Sequence, residues 1–104
     1  MRNKSKTKFT FSPEFQLEIL RYIIKDKEGG LILKRIKPNY LVLIEHSIIC
    51  EGIIKYYKKQ NRIPSENVLK EVIKELLEGK QYADLVTKDD IPNIDKVISI
   101  LYHL

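Results

Sequence analysis

Cysteine is nearly missing from this chain of 104 residues, with Cys50 alone. One thiol excludes an internal disulfide framework and a cysteine-rich zinc site, and it fits a reducing compartment. No stretch approaches the ~18 apolar residues that a membrane span requires. The polar start, Met1 to Lys8, lacks the apolar segment of a signal peptide. Alanine, glycine and arginine are sparse while isoleucine and lysine are plentiful, which reads as coding bias or a warm habitat. A soluble, cytoplasmic protein is expected. Its length fits one domain, with a core small enough to leave a narrow stability margin.

The motifs of common active sites are missing too. There is no Gly-x-Ser-x-Gly, no His-Glu-x-x-His and no phosphate-cradling loop; Gly29-Gly30 reads as a turn. His46 and Cys50 share a helix face at i, i+4, spacing that would suit two metal ligands or a thiol with its base. A metal needs more ligands, and His103 is the other histidine. The pair therefore reads as a surface histidine and a small apolar cysteine. Asp89-Asp90 reads as a helix cap or loop decoration rather than a cation site. Tyr56-Tyr57 offers rings that could stack on bases, but at helical spacing one is core and the other its rim. No catalytic, cofactor-binding or metal-ligating residue is assigned.

What the chain does have is charge, and the distribution matters more than the total of +5. Arg2, Lys4, Lys6 and Lys8 carry four of the 19 basic residues, leaving 15 against 14 acids in the rest. Residues 1–8 read as a disordered basic tail ahead of a nearly neutral domain, 9–104. A solvated tail is the plainer reading; weak nucleic-acid contact through those four side chains is the functional one. A second cluster, Lys55, Lys58, Lys59 and Arg62, closes a helix and suits its dipole.

Apolar periodicity predicts an all-α fold, a small orthogonal bundle of about five to six helices. Ser12-Pro13-Glu14 starts the first, with Phe15, Ile19, Tyr22 and Ile23 along one face. Phe9 or Phe11 is placed to staple its first turn. A short stretch, about Leu31 to Ile36, follows the glycines. Tyr40 to Asn61 is the central helix, with Asn61 its cap. Ser65 caps another, striped with Val68, Leu69, Val72, Ile73, Leu76 and Leu77, and Gly79 ends it. Tyr82, Leu85 and Val86 hint at one turn. A last helix begins at Pro92 or Asn93 and meets no stop signal before Leu104, as in a fragment cut within or just after a helix. The expected core is Phe15, Ile19, Ile23, Ile48, Ile53, Leu69, Val72, Ile73 and Leu76. Ile94, Val97, Ile98 and Leu101 then form a strip left over for self-association.

A set of landmarks resembles a known family. Phe11-Ser12-Pro13-Glu14-Phe15-Gln16 leads through Leu20 to Asp26-Lys27-Glu28. Ile36-Lys37-Pro38-Asn39-Tyr40-Leu41 opens a long helix holding His46, Ile53 and Tyr56-Tyr57, and Ile63-Pro64-Ser65 precedes Val68-Leu69 and Val72-Ile73. From Phe11 to Leu77 this is similar to the N-terminal domain of DnaB-type replicative DNA helicases, especially phage-like members. The resemblance implies a non-catalytic domain that supports ring oligomerisation and contacts primase or a helicase loader. ATP and magnesium would belong only to the motor domain of a longer parent, and a phage gene would place the protein in a bacterial host's cytoplasm. Two other readings stand beside it. One is a DNA-binding regulator of helix-turn-helix type, with Ser65 to Glu78 as recognition helix. The other is a free-standing phage adaptor that binds a host replication protein.

Overall fold

A computed structural model describes residues 12–26, 28–36, 41, 43–79, 82 and 86–103. Among them the chain is all-α, with five helices: α1 Pro13–Lys25, α2 Gly29–Leu33, α3 Ile44–Gln60, α4 Glu66–Glu78 and α5 Asp90–His103. No helix is long and apolar enough to cross a membrane among the described residues. The basic tail, the Phe9 and Phe11 staple, Tyr40 and Leu85 lie outside them.

Local chemistry sets most helix ends. Ser12 Oγ accepts the Phe15 amide at 3.2 Å, and Pro13 sits where a missing N–H costs nothing. Ser65 Oγ accepts the Val68 amide in the same way. Asn61 ends α3 in the left-handed region at φ 57°, its amide bonded to the Tyr57 carbonyl. Asp90 Oδ2 accepts from the Thr87 amide, half of a capping box at the entry to α5. That helix starts at Asp90, earlier than Pro92, because proline is tolerated in a first turn where amides have no helical partner.

The glycine pair is not a turn before a helix; it begins one. Asp26 Oδ1 accepts the Glu28 amide and turns the chain, and α2 then starts at Gly29. The helix ends at Leu33, short of the expected Ile36. A side chain at Gly29 would collide with the Ile23 carbonyl of α1, and one at Gly30 with the Tyr57 ring of α3. Glycine is needed here for close approach.

The core gathers Leu20 and Ile23 of α1, Ile48, Ile49 and Ile53 of α3, Leu69 and Ile73 of α4, and Ile94, Ile98 and Leu101 of α5. Gly52 lets α4 lie close on α3, facing Ile73 and Leu69. Two expectations are corrected. Phe15 is 49% exposed, because Gln16, Leu20 and Ile23 form the inward face of α1 and successive helical residues are about 100° apart. The strip on α5 is not left over. Ile94, Ile98 and Leu101 are buried against α1, α3 and α4, and Val97 is half-buried. Ile94, Ile98 and Leu101 hold the domain together, so their side chains are unavailable to a partner.

Side-chain bonds show which ends meet. Lys25 Nζ, ending α1, donates to the Tyr102 carbonyl near the end of α5 at 2.9 Å. The Tyr102 hydroxyl donates to the Pro64 carbonyl, just after α3, at 2.6 Å. Thus α1, α3 and α5 finish together, and α4 starts there and runs back.

Candidate functional site

Three places gather polar or exposed chemistry, and each is built by the packing just described. The first joins the starts of α1 and α3. His46 is not the surface residue that its spacing suggested: it is 3% exposed, with Gln16 at 1% beside it. The Nδ1 to Gln16 Oε1 distance is 2.8 Å. An amide oxygen has no proton to give, so the ring donates from Nδ1. Burial pushes the His46 pKa down, against a smaller upward pull from Glu45. Cys50, one turn on, is fully buried, and burial foremost, with Glu51 adding, raises its thiol to about 12. A protonated buried thiol is a poor nucleophile and a poor ligand.

Both features lead to measurable outcomes. Since the folded-state pKa of His46 lies below its ordinary 6.5, the unfolded chain binds more protons as pH falls. The contribution is full above 6.5 and is lost progressively as pH drops from there toward the folded value. Urea midpoints at pH 7.5 and pH 5.0 should therefore separate in the wild type and draw closer in His46→Gln. An equal separation in both proteins would remove His46 as the cause. For Cys50, a thiol reagent should label native protein only as fast as it opens, and labelling within mixing time without urea would contradict the burial.

The second place is a clasp between the start of α4 and the end of α5. Glu66 Oε1 meets His103 Nε2 at 2.8 Å, and Glu66 Oε2 accepts from Ser99 Oγ at 3.1 Å. Lys70 Nζ donates to Ser99 Oγ at 3.3 Å and lies 3.4 Å from Glu66. The Glu66 carboxyl is held below its ordinary pKa, chiefly by the His103 bond. A serine beside a carboxylate and an amine has the form of an activated nucleophile. Here the Ser99 hydroxyl gives its proton to Glu66 and receives one from Lys70, so both ends are occupied in joining two helices. Farther along α3, Tyr82 donates to Glu51 and ties the α4–α5 connection to the central helix.

The third place is surface. Between α4 and α5 runs a groove of about 530 Å³, lined by Ile73, Leu77 and Ile91 and by charged side chains of both signs, Lys70 and Lys74 with Glu71, Glu78 and Asp95. At the opposite end of the bundle, α2 presents Leu31, 59% exposed, and Ile32, 37% exposed, ahead of exposed Lys34 and Arg35. The charges divide between these ends. Lys25, Lys34, Arg35, Lys58, Lys59 and Arg62 crowd the end that holds α2, against Asp26, Glu28 and Glu66. Glu14, Glu45, Glu78, Asp89 and Asp90 mark the other, against Lys74 and Lys88.

Sequence reasoning placed the cations of α3 on a helix end but had no means to join them to α2. Gln16 escaped it, being a polar residue on an apolar face. The clasp left two local traces, the i, i+4 spacings of Glu66 with Lys70 and of Ser99 with His103. Among the described residues, no group of three or more histidine, cysteine, aspartate or glutamate side chains is placed to hold a metal ion. The tail candidates Arg2, Lys4, Lys6 and Lys8 lie outside the described residues. The exposed face of α4 carries Glu71, Glu75 and Glu78 beside Lys74, a poor surface to lay against phosphates. Comparison with protein-family models, with curated proteins and with solved structures finds no match to this chain.

Proposed function

We propose that this chain is a non-catalytic assembly and partner-binding domain of a DnaB-type replicative DNA helicase, supporting ring oligomerisation and contact with primase or a helicase loader. One observation carries the reading: three described landmarks of the family resemblance fall at the junctions of a single bundle. Ser12-Pro13 opens α1, buried Leu41 precedes the long central α3, and Pro64-Ser65 makes the corner into α4. Residues that form corners and caps are the ones a shared fold would keep alike. The polar clusters add support, since the bonds of Glu66, Ser99, His46 and Gln16 join helices. The helix-turn-helix alternative is weakened by the acidic outer face of α4. A free-standing adaptor would have the same domain without a motor.

The test has two arms. The purified chain should show no ATP turnover, and steady hydrolysis by it would overturn the non-catalytic reading. The reading frame should continue into a motor domain with a Gly-x-x-x-x-Gly-Lys-Ser/Thr loop. A frame without that loop would move the assignment to the adaptor.

A further inference from the structure

We propose that the exposed end of α3 binds the phosphate backbone of duplex DNA without regard to sequence. Lys55, Lys58 and Lys59 stand at i, i+3 and i+4, which sets them on one side of the helix, and Arg62 follows just past the Asn61 cap. All four are exposed, and none of their side chains has an ion-pair or hydrogen-bond partner among the described residues. From Gly52 to Ser65 the chain has no acid. The acids that flank this stretch are engaged elsewhere. Glu51 accepts the Tyr82 hydroxyl, and Glu66 is held by His103, Ser99 and Lys70.

Solubility and the helix dipole do not account for this row. Like charges at i, i+3 and i+4 weaken the helix that carries them. Elsewhere the helices mix their signs: Glu18 pairs with Arg21, Glu66 with Lys70, and Lys74 stands among Glu71, Glu75 and Glu78. The C-terminal pole of a helix equals only about half a negative charge, which the last-turn Lys58 and Lys59 already exceed. Lys55 and Arg62 are surplus to it. A self-repelling row of unpaired cations is complementary to a polyanion.

The surroundings of the row select which polyanion. None of the exposed large apolar side chains lies in the second half of α3. A protein interface has an apolar, aromatic centre depleted in lysine, and a helix lying on a membrane buries an apolar face in the lipid. This surface offers neither. A phosphate backbone asks for neither, since its affinity comes from releasing condensed counterions. Single strands are held by stacking bases on aromatic rings. Tyr56 and Tyr57 are half-buried, and the Tyr57 ring is taken up against Gly30. The duplex, with its denser charge, is therefore the occupant. Contacts of this kind position without reading bases, and their affinity is weak, about 10⁻⁴–10⁻⁶ M at physiological salt. The inference uses none of the landmarks behind the proposed assembly role and requires no self-contact.

The experiment is fluorescence anisotropy of a short, labelled DNA duplex of mixed sequence, titrated with the 104-residue chain over a series of salt concentrations. One variant combines Lys55→Gln, Lys58→Gln and Lys59→Gln. A control combines Lys74→Gln, Lys88→Gln and Lys96→Gln, which changes the net charge equally at exposed sites on other elements. Glutamine matches lysine in helix propensity, and melting curves confirm that both variants fold. At low salt the α3 variant should bind about tenfold more weakly or worse, and its salt dependence should flatten by about 2–3 in the log–log slope. The control should stay close to the wild type. An equal loss in both variants would reduce the effect to net charge and overturn the site. An α3 variant that binds like the wild type would overturn it too, moving the affinity to Arg2, Lys4, Lys6 and Lys8, and so would a wild type that ignores DNA at low salt. Tighter binding to the single strand than to the duplex, or to phosphatidylserine vesicles than to either, would give the surface to that ligand instead.

Discussion

Replacing Ile98 by Ala is expected to cost about 2–5 kcal/mol, while replacing Ile100, two residues on, should change stability by less than about 0.5 kcal/mol. Ile98 has no exposed surface, and Ile100 is 37% exposed. Ile98 faces a core that α1, α3 and α4 also line, so its truncation leaves a cavity that no single neighbour can fill. Against a total stability of about 5–15 kcal/mol for a domain, the upper part of that range would leave much of the protein unfolded at 37 °C. Urea unfolding of the two variants checks it. Equal, small losses would mean that α5 is a surface helix, as its sequence first suggested. By the same logic a charge at Leu101 tests folding and not association, because the site is buried.

Gly29→Ala should also destabilise, by about 1–3 kcal/mol or more, although it improves helix propensity by about 1 kcal/mol. The backbone angle at Gly29 is an ordinary one, so the objection is steric. The added methyl would press on the Ile23 carbonyl, which is main chain and cannot rotate away. Relief requires α2 to lift from α1, carrying Leu33 out of the core. Gly52→Ala is the informative contrast. There the methyl meets Ile73 Cγ1 at 2.9 Å and Leu69 Cδ1 at 3.2 Å, side-chain atoms that can move by a few tenths of an ångström. Its loss should be clearly smaller, and a Gly29→Ala protein as stable as the Gly52 variant would contradict the close approach.

The helix boundaries set by short-range chemistry were legible in the sequence. Ser12, Ser65 and Asn61 act through groups at most four residues away, so the local pattern announces them. The inward face of α4, Leu69, Ile73 and Leu76, was legible from its spacing, although Val68 of the expected stripe is exposed. What escaped depends on partners far along the chain. Phe15 repeats with Ile19 and Ile23 at spacings that fit a face, yet Gln16 takes the inward position through His46, 30 residues away. The last helix carries apolar residues on more than one side, and periodicity cannot say which side three other helices will cover. The α4–α5 groove was illegible for the same reason: the fold, and not the order of residues, brings its two walls together. Glycine at position 29 was read as an interruption because close approach between backbones leaves no local mark.

The bond from Lys25 to the Tyr102 carbonyl spans 77 residues of sequence. Helical bundles generally fold fast because their contacts are local, and rates fall as contacts reach farther along the chain. Here α5 must find α1, α3 and α4 together, and closing so long a loop costs entropy before any apolar contact repays it. Refolding should thus be slower than for an up-and-down bundle of equal length. On the ribosome, the first four helices would wait with Leu20, Ile48 and Ile53 incompletely covered until α5 emerges. That interval is when the nascent chain is most exposed to chaperones and to aggregation.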